Sequence, residues 1–176
     1  NTIKLWQKDG TLHKTLKGHK STVFDLDISP DGQLIVSGSG DNTTKLWNVK
    51  GELLATLKDH SDSVMGVKFR PNSQLIATAS VDKTIKLWRW NGKQANLETT
   101  LMGHSDAVES IDFSPDGQTL TSGSDDRTVI LWTKHSMLNP NDLLVHGCTW
   151  VGNYLNYNRA VEDSDRTLCD GMKQNQ

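Results

Sequence analysis

A histidine, a hydroxyl and an aspartate are the parts of a nucleophilic hydrolase, and this chain carries that set three times. The sets are His19, Ser37 and Asp41; His60, Thr78 and Asp82; and His104, Ser122 and Asp126. Each is accompanied by an indole, Trp47, Trp88 or Trp132. The three histidines stand 41 and 44 residues apart, and so do the three tryptophans. A catalytic centre is normally built once. A group written out in every copy of a repeat reads instead as buried polar side chains that satisfy one another and fix one arrangement, so no enzymatic activity is expected.

The other chemistry-bearing residues are weaker candidates. His146, Cys148 and Cys169 match no common zinc spacing and lack an evident fourth ligand, so they read as ordinary packing and no metal is expected. Glu162, Asp163 and Asp165 do not follow a calcium-loop spacing. Neither Gly-x-x-x-x-Gly-Lys-Ser/Thr nor Gly-x-Gly-x-x-Gly occurs, which argues against nucleotide binding and leaves no cofactor expected. A net charge of −2 and a pI near 6.3 give no basic footprint for nucleic acid. No apolar run approaches roughly eighteen residues, so a membrane span is not expected, and no charged leader precedes an apolar stretch at the start. Only two cysteines are present, both outside the repeats, and so few in a chain of this size point to a reducing compartment more than to a disulfide framework.

What positions the recurring groups is the repeat itself. The stretch from Gly18 to Lys58 is followed by copies beginning at Asp59 and Gly103 that keep its punctuation. Within the first copy, Val23 to Ile28 predicts a strand, Ser29-Pro30-Asp31-Gly32 a turn, and Leu34 to Ser37 a second strand. Gly38 to Asn42 is the next turn, Thr43 to Trp47 the third strand, Val49 to Glu52 a turn, and Leu53 to Leu57 the fourth strand. Apolar residues in the first strand recur as Val23, Leu26 and Ile28, as Val64, Val67 and Phe69, and as Val108, Ile111 and Phe113. That spacing, three and then two, breaks strict alternation and predicts a bulge just after the first valine.

A lone four-stranded sheet cannot bury both faces, so the copies are expected to stack about an axis and cover one another. Closed radial arrangements take about four to eight sheets. This chain supplies three copies and the end of a preceding one, since Asn1 to Trp6 matches Lys83 to Trp88. The expectation is therefore an incomplete ring, a piece of a longer protein whose missing sheets come from upstream or from another subunit, or else an open stack with two apolar faces. After Trp132 no fourth strand follows. Instead Asn139-Pro140-Asn141-Asp142 predicts a helix start, with Leu143, Leu144, Cys148, Trp150, Val151, Tyr154 and Leu155 along one stripe. Lys4, Lys45 and Lys86 are replaced by Ile130 in the last copy, which predicts that this helix covers Ile130.

Gly-His, Ser-Pro-Asp-Gly, Ser-Gly-Ser-x-Asp and Leu-Trp at fixed offsets resemble the marks of the WD40 repeat over residues 1–133. The resemblance implies an all-β architecture of β-propeller blades, each of four antiparallel strands, with a short helical C-terminal tail here. It divides the chain into a partial repeat (1–16), repeats at 17–58 and 59–102, a repeat at 103–134 lacking its fourth strand, and the tail (135–176). It also implies that each aspartate holds its histidine, the histidine reaches the hydroxyl, and the hydroxyl meets the indole N–H. Asp59 departs from the glycine expected there, Arg70-Pro71-Asn72-Ser73 from Ser-Pro-Asp-Gly, and Asn48, Arg89 and Thr133 from the aspartate that follows tryptophan. The tail, with Leu143-Leu144-x-x-Gly147-Cys148-x-Trp150 and Asp165-Arg166-x-Leu168-Cys169-Asp170, is similar to those closing repeat-rich cyanobacterial WD40 proteins, which implies a bacterial cytoplasmic origin and the true C-terminus of a larger polypeptide.

The function implied is a non-enzymatic scaffold for a protein or peptide partner. The alternative is a ligand-sensing C-terminal propeller of a larger signalling NTPase. By the family pattern, contacts come from residues flanking the first-strand valine and from the one before the turn aspartate. These are Thr22, Phe24 and Gly40; Ser63, Met65 and Val81; and Ala107, Glu109 and Asp125. Phe24, Met65 and Val81 would give an apolar patch and Glu109 with Asp125 an acidic edge, suiting an apolar peptide with a basic flank. Equally, Phe24 and Met65 would plug the axis of a ring.

Overall fold

The computed structural model describes residues 1–133. The helix expected from Asn139, its packing on Ile130, and the residues His146, Cys148 and Cys169 lie outside the described residues. The described chain is all β. A two-stranded sheet of β1 (Thr2–Trp6) and β2 (Leu12–Lys17) comes first. The first blade is β3 (Val23–Ile28), β4 (Leu34–Ser39), β5 (Thr44–Asn48) and β6 (Leu53–Leu57). The second is β7 (Val64–Phe69), β8 (Leu75–Ser80), β9 (Thr84–Trp90) and β10 (Ala95–Met102). The third has, among the described residues, β11 (Val108–Phe113), β12 (Thr119–Ser124) and β13 (Val129–Thr133). Every pairing is antiparallel between chain neighbours.

Turn chemistry sets these strands. Gly32 and Gly117 take φ of 70° and 67° in the two Ser-Pro-Asp-Gly turns. In the second copy the left-handed residue moves back one place to Asn72 at φ 53°, a residue type that tolerates it. This explains how Arg70-Pro71-Asn72-Ser73 closes the same hairpin without glycine. The turn before the third strand puts Asn42, Lys83 and Arg127 at positive φ, so the second and third copies hold a long side chain in a strained conformation.

The blades bury each other in succession. Val67 and Phe69 of β7 join Val36, Leu46 and Leu57 of the first blade in one cluster with Trp88. Ile111 and Phe113 of β11 join Ala77, Leu87 and Leu101 of the second blade in another. Leu26 and Ile28 occupy the corresponding positions in β3, yet they are 45% and 55% exposed. The expected first-strand core is absent there because β1 and β2 cover Ile35 and Trp47 on that face, through Ile3 and Leu16, and no strand among the described residues lies over Leu26 and Ile28. At the other end Val129 and Leu131, equivalent by register to Ile85 and Leu87, are 72% and 65% exposed. The described stack is thus an unclosed arc, apolar on both end faces. Carboxylates also cross between blades: Val67 N donates to Asp25 Oδ2 at 3.0 Å, and Phe69 N to Asp27 Oδ2 at 2.8 Å.

Candidate functional site

Each histidine group is assembled from the loop before a blade and three of its strand or turn positions. In the first blade His19 Nε2 lies 2.8 Å from Ser37 Oγ and Nδ1 lies 3.0 Å from Asp41 Oδ2. Trp47 Nε1 donates to the same Ser37 Oγ at 3.0 Å. His60, Thr78, Asp82 and Trp88 repeat this at 2.8, 2.8 and 3.0 Å. His104, Ser122, Asp126 and Trp132 do so at 2.7, 2.8 and 2.9 Å. The direction of the donors follows by elimination. The indole N–H can only donate, so the hydroxyl oxygen accepts it and turns its own hydrogen to Nε2. Nδ1 then carries the imidazole proton toward the carboxylate.

Two further partners recur without having been singled out from sequence. Thr43, Thr84 and Thr128 donate through Oγ1 to the aspartates at 2.5, 2.6 and 2.6 Å, and the backbone N–H groups of Lys20, Ser61 and Ser105 donate to them at 2.7, 3.0 and 2.9 Å. The signal was present: a threonine stands two residues after each aspartate. Burial would raise the carboxyls of Asp41 and Asp82, but the threonine, histidine and backbone donors outweigh it and hold both below the usual range. Asp126 is held low chiefly by the Thr128 hydroxyl. Burial lowers the imidazoles of His19 and His60 against the upward pull of their aspartates. Ser37 and Thr78 are 0% exposed and Ser122 2%, so no substrate reaches these hydroxyls from solvent without local opening.

A second recurrent cluster lies where each blade's first strand begins. The register of that strand slips between Val23 and Asp25, between Val64 and Gly66, and between Val108 and Ser110. The residue left without a pairing partner is Phe24, Met65 or Glu109, at the place the three-then-two spacing predicts. Beside it, Gly40 N donates to Thr22 O at 2.9 Å, Val81 N to Ser63 O at 3.0 Å, and Asp125 N to Ala107 O at 3.0 Å. Two of the three residues named for each copy are therefore tied by backbone. Thr22, Phe24, Glu109 and Asp125 are exposed, and Ser63, Met65 and Val81 half-buried. Ala107 is buried, so it contributes its carbonyl to the turn and no side chain to the surface. The approach of Phe24 to Gly40 is close: a Cβ on Gly40 would lie 3.2 Å from the Phe24 ring. Asp59, the departure from glycine, pairs with Lys86 at 2.7 Å.

Antiparallel blades that stack in series, each pinned by the same buried histidine group, define a propeller-type repeat protein. The family model described as "WD domain, G-beta repeat" matches residues 10–48, 51–89 and 95–133, and the chain belongs to that WD40 family. Each matched repeat begins with the outer strand of one sheet and continues with three strands of the next, so one sequence unit ties two blades together. Proteins of this family generally act as interaction scaffolds without catalysis of their own. No curated protein matches the chain.

Proposed function

We propose that the chain is a non-enzymatic protein- or peptide-binding scaffold whose contact surface is the bulged end of the blades. The observation that carries this is a division of labour within the repeat. Residues of the histidine group recur in every copy, whereas the unpaired bulge residue changes from Phe24 to Met65 to Glu109 within the same backbone frame. A frame held constant while its outward side chains vary is suited to a surface that distinguishes partners. Phe24 is 47% exposed and Met65 and Val81 half-buried, and these supply the apolar anchors' surface, while Glu109 and Asp125 supply the acidic edge. The partner is a peptide segment with apolar anchors and a basic flank. The buried hydroxyls and the threefold recurrence of the histidine groups support a structural role for them in place of catalysis. The apolar end faces are covered by further blades, from the parent chain or another subunit.

Selection of a random-peptide display library on the chain tests this. Enriched peptides are expected to carry apolar residues next to Lys or Arg and to bind the Phe24→Ala/Met65→Ala variant at least about tenfold more weakly, a loss of roughly 1.4 kcal/mol or more. Enrichment of peptides indifferent to that variant would reject this surface.

A further inference from the structure

At the opposite end of the first strands from Phe24 and Met65, the turns between β3 and β4 and between β7 and β8 flank a cavity of about 770 Å³, open to solvent, between the first and second blades. Its apolar wall includes Phe69 and Trp90, and its polar lining includes Ser29, Asp31 and Ser73. The junction between the second and third blades shows what belongs in such a space. There Arg70 reaches across, and its Nε donates to Gly117 O at 2.7 Å. By register Ser29 stands where Arg70 does, and Ser73 where Gly117 does. The first junction therefore has Ser73 at the acceptor position, in a turn whose left-handed residue is Asn72 in place of the glycine, and lacks the arginine.

The charge pattern is also kept. Arg70 lies near Asp116, whose carboxyl is held low by the Ser114 hydroxyl, the Gln118 N–H and, to a lesser degree, the Arg70 charge. At the first junction the turn that would supply that carboxylate has Asn72, but the cavity gains Asp31 from the first blade. Asp31 accepts from Ser29 Oγ and Gln33 N and has no ion pair among the described residues. Its carboxyl is held below the usual range by those same bonds. Arg89, the cation in the lining, is bonded through Nε and Nη2 to both oxygens of Glu98, so its charge is already answered.

We infer that this cavity is a second binding site, one that takes the arginine side chain of a partner peptide. The guanidinium donates to the Ser73 carbonyl and pairs with Asp31, and the methylene stem lies along Phe69 and Trp90. A planar fork serves a carbonyl and a carboxylate together, which a lysine ammonium does less well. This site is separate from the bulged end and does not rest on that surface being the scaffold's main contact.

The 176-residue chain is titrated with acetyl-Gly-Arg-Gly-amide, followed by the Trp90 indole N–H resonance, alongside the lysine and citrulline versions of the peptide. One site is expected, at least about tenfold tighter for arginine than for citrulline, and weakened roughly tenfold by Asp31→Asn. Ser29→Arg is expected to fill the cavity from within and abolish binding. Because it also removes the three hydrogen bonds of the Ser29 hydroxyl, its unfolding midpoint is measured in parallel. Arg70→Ser gives the converse test, opening an equivalent cavity at the second junction and raising the stoichiometry from one to two. No binding, equal binding of arginine and citrulline, unchanged binding in folded Ser29→Arg, or a single site in Arg70→Ser would each overturn the assignment.

Discussion

Replacing His60 by alanine removes the centre of the histidine group in the middle one of the three blades. His60 is 7% exposed and bonds Asp82 and Thr78 at 2.8 Å each. Without it, Asp82 still holds Thr84 and Ser61, but the Thr78 hydroxyl keeps only a long 3.4 Å contact to Lys86 O while receiving the Trp88 indole. Orphaning a buried hydroxyl costs about 1–3 kcal/mol. The space left by the imidazole adds to this, bringing the loss to about 2–4 kcal/mol. For a chain of this size that lowers the thermal midpoint by roughly 5–15 °C. The assay is urea unfolding of His60→Ala, Thr78→Val and the double variant. Since Thr78→Val deletes the group that His60→Ala strands, the double variant is expected to lose less than the two single losses added, by about 1 kcal/mol or more. Strict additivity, or an unchanged midpoint in His60→Ala, would refute the network.

Three other outcomes follow from the same physics. His19 and His60 have lowered pKa values, so their unfolded counterparts take protons first as pH falls; stability is full above about 6.5 and declines below it, and declines again below about 4 as the aspartates of these groups protonate in the unfolded chain. A urea midpoint at pH 5.5 equal to or above that at pH 7.5 would contradict this. Asp27→Ala strands the Phe69 N–H between blades and is expected to cost about 1–3 kcal/mol, with faster amide exchange at Phe69; unchanged exchange there would remove the cross-blade bond from the account. Thr44 is 1% exposed and its hydroxyl has no hydrogen-bond partner among the described residues, while Ile85 and Val129 hold the same register. Thr44→Val should therefore stabilise the fold by about 1 kcal/mol in urea unfolding, and a loss of stability would show a partner at that hydroxyl.

Much of this architecture is legible in the residues because each copy reports on the others. The bulge at Phe24, Met65 and Glu109 follows from an apolar spacing that no straight strand can bury, and the strand ends fall within two residues of those expected, β4 running on to Ser39 and β5 beginning at Thr44. What depends on neighbouring sheets is not legible in this way. Leu26 and Ile28 read as core from pattern alone, but burial needs a covering sheet. Asp25, Asp27 and Arg70 look like surface charges until the edges they cross are brought together. Ala107 shows the same limit within one blade, since a position in the contact frame supplies backbone where the other copies supply side chains.

The most direct measurement of the scaffold reading is a residue-by-residue map of backbone amide shifts while a library-selected peptide is titrated into the chain. The account predicts the largest changes at Phe24, Gly40, Met65, Val81, Glu109 and Asp125, with the buried histidine groups unmoved. Changes confined to the outer strands β6 and β10, with those six positions silent, would contradict it.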